Sequence, residues 1–120
     1  VREVVGSQIA AFQQLQSSDR SICLVLEEGG NVVGTVTLYV LPALSHDGRP
    51  FAIVENVVVD ESVRRKGMGR RLMEHAERVA RERGCYKVSF TSNARRTDAH
   101  AFYERLGFSP SHRGYSKYFD

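Results

Sequence analysis

An apolar run at 53–59, a basic stretch carrying two glycines at 64–71 and a helical pattern starting near Met68 follow one another without a break. Met68, Leu72, Met73, Ala76, Val79 and Ala80 fall on one helical face with Arg and Glu opposite, whereas the preceding run is short and rich in β-branched residues, as a buried strand is. The chain has to leave a strand, turn and enter a helix within a few residues. Gly67 and Gly69 suit that turn, because a residue without Cβ lets the backbone fold tightly and come close to a ligand. The first helical N–H groups have no acceptors of their own, the helix dipole places partial positive charge at the same point, and Arg64, Arg65, Lys66, Arg70 and Arg71 surround it with full charges. Such a turn is an anion cradle, and a pyrophosphate-bearing ligand is the leading expectation; a plain turn inside a solvated basic run is the alternative. The third glycine of a dinucleotide fingerprint and the Gly-Lys-Ser/Thr of a P-loop are both missing, so neither nucleotide fold is expected.

With 120 residues and 42% apolar content, residues 1–120 suit a single domain with enough core to fold unaided. The net charge of +3 gathers at 64–71 and at Arg95 and Arg96, which points to local anion binding and away from nucleic acid. Cys23 and Cys85 form no CxxC pair, so a reducing, cytoplasmic setting is expected. His46, His75, His100 and His112 lack metal-ligand spacing, and no metal is expected. No stretch reaches membrane length and no secretory pattern opens the chain; Val1 in place of methionine suggests that natural sequence lies upstream.

Val5, Ile9, Phe12 and Leu15 recur at helical spacing and predict an amphipathic helix ending near Ser17 and Ser18. Segments 22–26 and 32–40 read as a hairpin around Gly29 and Gly30, and 42–50 as a loop. The run 51–59 is expected to be a central strand buried on both faces, with Glu55 and Asn56 as its two polar exceptions. Gly84 ends the helix that follows; 86–91 is a strand, 97–106 a short helix stopped by Gly107, and 114–119 a final strand. Strand, helix, strand gives a parallel pair beside an antiparallel hairpin, hence an α/β (α+β) fold with a mixed sheet and helices on both faces.

Arg64-x-x-Gly67-x-Gly69 resembles the coenzyme A pyrophosphate loop of the GNAT superfamily of acetyl-CoA-dependent N-acetyltransferases. The segment Ala101-Phe102-Tyr103-Glu104-Arg105-Leu106-Gly107-Phe108 is similar to the family's Tyr-x-x-x-Gly-Phe ending, and the likeness runs from about Ile22 onward. It implies a centrally splayed sheet, acetyl-CoA as cosubstrate and a primary amine as acceptor. Two departures stand out. Nothing before Ile22 reads as the family's opening strand, and the asparagine usual seven residues before the tyrosine is replaced by Arg96, with Asn93 three residues earlier.

By that resemblance, Val57, Val58 and Val59 contact the cofactor along a bulged strand, Val57 and Val59 through backbone groups; Arg64, Arg65, Lys66, Gly67, Met68, Gly69 and Arg70 hold the pyrophosphate, with Asn93 and Arg96 as further contacts. An amine with a pKa near 10.4 must lose a proton before attacking a thioester. Glu55 is the only acid in the central strand and is expected to take that proton or bind substrate; pairing with a nearby cation or capping a backbone group is the alternative. Tyr103 stands at the family's general-acid position, and core packing beside Phe102 and Phe108 is its alternative role. The strand 53–59 and the segment 84–88 look similar to glucosamine-6-phosphate N-acetyltransferases, with Arg95 and Arg96 available to a sugar phosphate. A protein amine, or an acyl-CoA sensor without turnover, stays open. The family commonly dimerises through its C-terminal strand, for which 115–119 is the segment available here.

Overall fold

The computed structural model describes residues 6–63, 66–92 and 95–120, in two compact units, 1–89 and 90–120.

The first unit is a four-stranded sheet with two helices. Helix α1 (Gly6–Ser17) leads into β1 (Ser21–Glu28) and β2 (Asn31–Leu41), then β3 (Phe51–Val59), α2 (Met68–Glu82) and β4 (Val88–Ser89). The sheet order is β1-β2-β3-β4, antiparallel except for the parallel β3/β4 pair. The hairpin turns at Gly29 and Gly30, with φ of 59° and 82°. A two-residue loop with both φ positive matches the twist of the strands it joins, and glycine enters it without a steric cost.

Which face each strand residue takes follows from the register. Leu24 pairs with Val36 and Ile22 with Leu38, and β3 continues that face through Val54 and Ala52. Here Val36, Leu38, Ala52, Val54 and the α2 residues Leu72, Met73, Ala76 and Ala80 are all buried to 2% exposure or less. Each large aliphatic side chain in this layer contributes about 1.5–3 kcal/mol through burial. At Gly34 an added Cβ would lie 2.8 Å from Leu72 Cδ1 of α2. The opposite face carries Ser21, Cys23 and Val25, and α1 lies there, its Phe12 and Leu15 lining a groove with them. Helices therefore flank the sheet on both faces, as expected.

Helix α2 ends as its sequence predicts. Gly84 has φ of 81°, its N–H donates to the Arg81 carbonyl, and the Cys85 N–H reaches back to Ala80. That pair of bonds is a Schellman motif, and the buried side chains of Cys85 and Ala80 close it. Arg49 adds a clamp, donating from Nε to the Gly84 carbonyl at 3.3 Å and from Nη2 to the Cys85 carbonyl at 3.2 Å. The loop before it holds a left-handed turn, with His46 and Asp47 at φ of 54° and 59°, and the His46 ring stacks on Tyr86 at 3.8 Å.

The second unit is built on α3 (Thr97–Arg105). Its end repeats the same chemistry: Gly107, at φ of 94°, donates to the Glu104 carbonyl and Phe108 to the Tyr103 carbonyl. Tyr103 and Phe108 are thus the two positions whose side chains a Schellman motif brings together, and Phe90 packs edge-on against both, at 4.5 and 4.9 Å.

Four expectations are corrected. The strand expected at 86–91 is only Val88–Ser89, because the parallel ladder pairs Ala52 with Val88 and Ile53 with Ser89 and goes no further. No strand forms at 114–119, where Tyr115, Tyr118 and Phe119 are 87–93% exposed and find no ladder to join. Strand β3 is not buried on both faces: Glu55, Asn56 and Val58 are exposed. Helix α1 is only weakly amphipathic in place, with Ile9 and Phe12 about half exposed at 48% and 47%; Val5 lies outside the described residues.

Candidate active site

The two polar residues inside β3 mark a change of phase. On β2, Thr35 pairs with Val58 but Thr37 pairs with Glu55, so Asn56 and Val57 together face the single residue Val36. This is a β-bulge, and Asn56 takes its left-handed position at φ of 55°. Asparagine is one of the few residues besides glycine that enters that region readily. Before the bulge the even-numbered residues Ala52 and Val54 face the α2 core; after it Val57 and Val59 are the half-buried ones and Val58 is exposed. The extra residue is what lets an otherwise apolar strand place Glu55 and Asn56 in solvent.

Among the described residues the β4 ladder ends at Ile53, and the β3 backbone from Val54 to Val59 pairs there with β2 alone. Glu55 shares the face of its partner Thr37, the face on which α1 lies. Its carboxylate is exposed rather than buried, contrary to what a desolvated base requires. No hydrogen bond or ion pair among the described residues engages it.

The start of α2 departs from ordinary helix chemistry. Gly67 occupies the N-cap at φ of 78°, no side chain caps the helix, and its first turn carries no acid. The first helical bond runs from the Arg71 N–H to the Gly67 carbonyl at 3.1 Å, which leaves the Met68, Gly69 and Arg70 amides without acceptors among the described residues. Lys66, Arg70 and Arg71 are exposed around them, although the Arg70 Nε is drawn to Glu74 Oε1 at 2.6 Å. Basic side chains at the positive pole of a helix cost roughly 0.3–1 kcal/mol each. A sequence that sets local charge against helix stability in this way is expected where a ligand supplies the missing anion. Arg64 and Arg65 lie outside the described residues, as does Asn93.

In the second unit Tyr103 is half-buried, with its ring against Phe90, Phe102 and Phe108. Arg96 is exposed at the N-cap of α3, where its carbonyl accepts the His100 N–H. Ser92 was not foreseen: its Oγ is buried without a hydrogen-bond partner among the described residues, and nothing in the sequence marks it. Among the described residues no group of three or more potential ligands could hold a metal ion, and no helix is long and apolar enough to cross a membrane.

Taken as a class, a mixed sheet opened beside a bulged strand, followed by an uncapped basic helix start, is an acetyltransferase fold. The structure of glucosamine-6-phosphate N-acetyltransferase from Arabidopsis thaliana superposes with a TM-score of 0.86 at 27% identity, covering 100% of this chain and 82% of that one. Residues 3–108 match the acetyltransferase (GNAT) family, and the chain belongs to it. It is 37% identical over 84 residues to a glucosamine 6-phosphate N-acetyltransferase of Trypanosoma brucei brucei, a match over 70% of this chain and 55% of that protein. An aminoalkylphosphonate N-acetyltransferase of Salmonella typhimurium is 33% identical over 88 residues, 73% of this chain and 56% of the relative. The chain thus spans little more than half the length of these two relatives.

Proposed function

We propose that residues 1–120 act as one N-acetyltransferase domain that moves the acetyl group of acetyl-CoA to the nitrogen of a primary amine within a ternary complex. The observation that carries this reading is the start of α2: three amides without acceptors among the described residues, a left-handed glycine and exposed cations, with no side-chain cap and no acid in the first turn. Pyrophosphate supplies the acceptors and negative charge that the helix lacks. The Gly67-x-Gly69 turn, together with Arg64, Arg65, Lys66, Met68 and Arg70, holds it, and the opened edge of β3 at Val57, Val58 and Val59 offers backbone donors and acceptors to the pantetheine arm, with Asn93 and Arg96 as further contacts.

Glu55 accepts a proton from the ammonium, directly or through one water, once bound substrate and cofactor have shut solvent away from a carboxylate that is open in the free protein. The freed nitrogen lone pair forms a C–N bond at the thioester carbonyl. The tetrahedral intermediate collapses with cleavage of the C–S bond, the leaving thiolate takes a proton from the Tyr103 hydroxyl, and the resulting phenolate takes the remaining extra proton of the acylated nitrogen. No metal takes part. Two free cysteines fit a reducing cytoplasm, and a homodimer is the proposed assembly.

A second reading narrows the acceptor to an amine bearing a phosphorus oxyanion. The names of both relatives describe such amines, and Arg95 and Arg96 are the cations proposed to meet it. Calorimetry with acetyl-CoA, followed by thiol release and product mass spectrometry across an amine panel, tests both readings. Micromolar binding with amine-dependent thiol release supports the transferase. Binding without release from any amine would leave a sensor, and absence of binding at millimolar ligand would remove the cradle.

A further inference from the structure

Thr37 is the one polar residue buried as a whole among the described residues, at 5% exposure, and it lies directly opposite the candidate base. It pairs from β2 with Glu55 on β3 in the regular part of the register, beside Leu38 with Val54 and Tyr39 with Ile53, where the bulge begins. Residues paired directly across an antiparallel ladder share a face with Cβ atoms about 4.5–5.5 Å apart, which puts the threonine hydroxyl within reach of the glutamate carboxylate. Its partner on the other side is Cys23, whose thiol is a weak hydrogen-bonding group. In the free protein Glu55 is exposed, and the Thr37 hydroxyl makes no hydrogen bond among the described residues.

The sheet itself has no need of that hydroxyl. Valine has the same branched shape and the same preference for strands, and it would fill the position with no polar atom to satisfy. Burying a hydroxyl unpaired costs stability, whereas Thr35 and Tyr39 on the same face are half-buried and keep contact with water. A local choice that works against the fold, opposite the only acid of β3, has its reason in function.

We propose that Thr37 is the positioning residue for Glu55: with acceptor bound, the carboxylate turns in from solvent onto the Thr37 hydroxyl, which donates to one oxygen and leaves the other for the ammonium. The proposal rests on the acetyltransferase reading and deepens its account of the base. Hydrogen bonds of this kind are often open in a free enzyme and close in the complex with substrate. The hydroxyl keeps its proton throughout; the proton that moves is the one passed from the ammonium to the carboxylate. Anchoring one oxygen to the sheet fixes the base in the geometry of transfer before the reaction starts.

The test follows thiol release from acetyl-CoA with the best acceptor among glucosamine 6-phosphate, 2-aminoethylphosphonate, lysine methyl ester and 4-phenylbutylamine. Thr37→Val removes the hydroxyl at nearly constant volume and lowers kcat by about ten- to a hundredfold, as loss of one hydrogen bond to a charged group does. The KM for amine and the Kd for acetyl-CoA stay within about twofold of the parent, and the variant melts no lower. Thr37→Ser restores the donor and brings kcat back to within about threefold. Thr37→Cys, of like volume but a weaker donor, gives the same comparison if the valine variant does not fold. In a Glu55→Gln background Thr37→Val has no further effect on kcat, because the carboxylate it acts through is gone; a threonine that only packs would cost the same in both backgrounds. A parental kcat in Thr37→Val, equal losses in the two backgrounds, or a serine variant as slow as the valine one would overturn the positioning role and leave the transferase intact. A parental kcat in Glu55→Gln would remove the base and its positioning together, with acetyl transfer still standing. A parent protein that binds no acetyl-CoA, or releases thiol with none of these amines, would overturn the transferase reading and this inference with it.

Discussion

Asn56 offers a direct test of how the site is shaped, because its side chain is exposed and makes no hydrogen bond among the described residues, so substitutions there act chiefly through the backbone. At φ of 55° an L-residue pays about 1–2 kcal/mol that asparagine largely escapes, and a β-branched residue pays at least that much. Unfolding entropy of roughly 2.1 cal/mol/K per residue gives about 0.25 kcal/mol/K for this chain. Asn56→Val should therefore lower Tm by about 4–8 °C, whereas Asn56→Gly, free to adopt the same angle, should melt within about 2 °C of the parent. Activity should follow the same split. The valine variant can relieve its strain only by giving up the bulge, and that slips Val57 and Val59 to the opposite face and disturbs the backbone offered to the cofactor. Differential scanning fluorimetry and acetyl-CoA-dependent thiol release, read on the two variants together, settle the point. Equal losses in both would show that the asparagine side chain matters and the bulge conformation does not.

Four shorter expectations complete the set. Gly67→Asp adds negative charge and a Cβ at φ of 78°, and calorimetry should show acetyl-CoA binding reduced beyond detection; unchanged affinity would remove the cradle. Tyr103→Phe keeps the ring packing and should lower turnover at least tenfold with Tm preserved, while a parental rate across pH 6 to 9 would take the hydroxyl out of the reaction. Gly34→Val drives a side chain into Leu72 and should cost about 1–3 kcal/mol by urea denaturation, with a smaller loss if α2 can shift outward. Burial pushes the Cys85 thiol above its ordinary 9.0, with Arg49 and Arg83 pulling it back in part. The stability linked to that thiol is present below pH 9.0 and is lost as pH rises through the folded-state value, so Cys85→Ala should flatten the alkaline decline in Tm.

What could be read from the sequence was what local chemistry determines. The α2 stripe, the Gly29-Gly30 hairpin and the stops at Gly84 and Gly107 each depend on residues a few positions apart, and each stands as expected. The motif ending in Gly107-Phe108 gains a physical reason, since Tyr103 and Phe108 are the two side chains that the helix stop brings together. Pairing partners were less legible. The exposure of Glu55 follows from a bulge whose only local sign is an asparagine, a residue equally at home in a loop. The aromatic-rich segment 114–119 reads as a strand, but a single segment forms no ladder without a neighbour. Likewise β4 stops at Ser89 because pairing with β3 ends there, although its sequence would permit more.

Arg49 gives α2 an asymmetry that reaches beyond geometry. From a neighbouring loop it donates to the Gly84 and Cys85 carbonyls just past the end of the helix, whereas the amide pole has neither a capping side chain nor an acid in its first turn. The free protein is thus held below the stability its own fold could reach, with the shortfall concentrated at the proposed pyrophosphate cradle. Occupancy should then register as heat tolerance: a ligand at a hundredfold excess over its Kd adds about 2.7 kcal/mol. The melting temperature of this chain in a cell would follow the supply of its acyl donor.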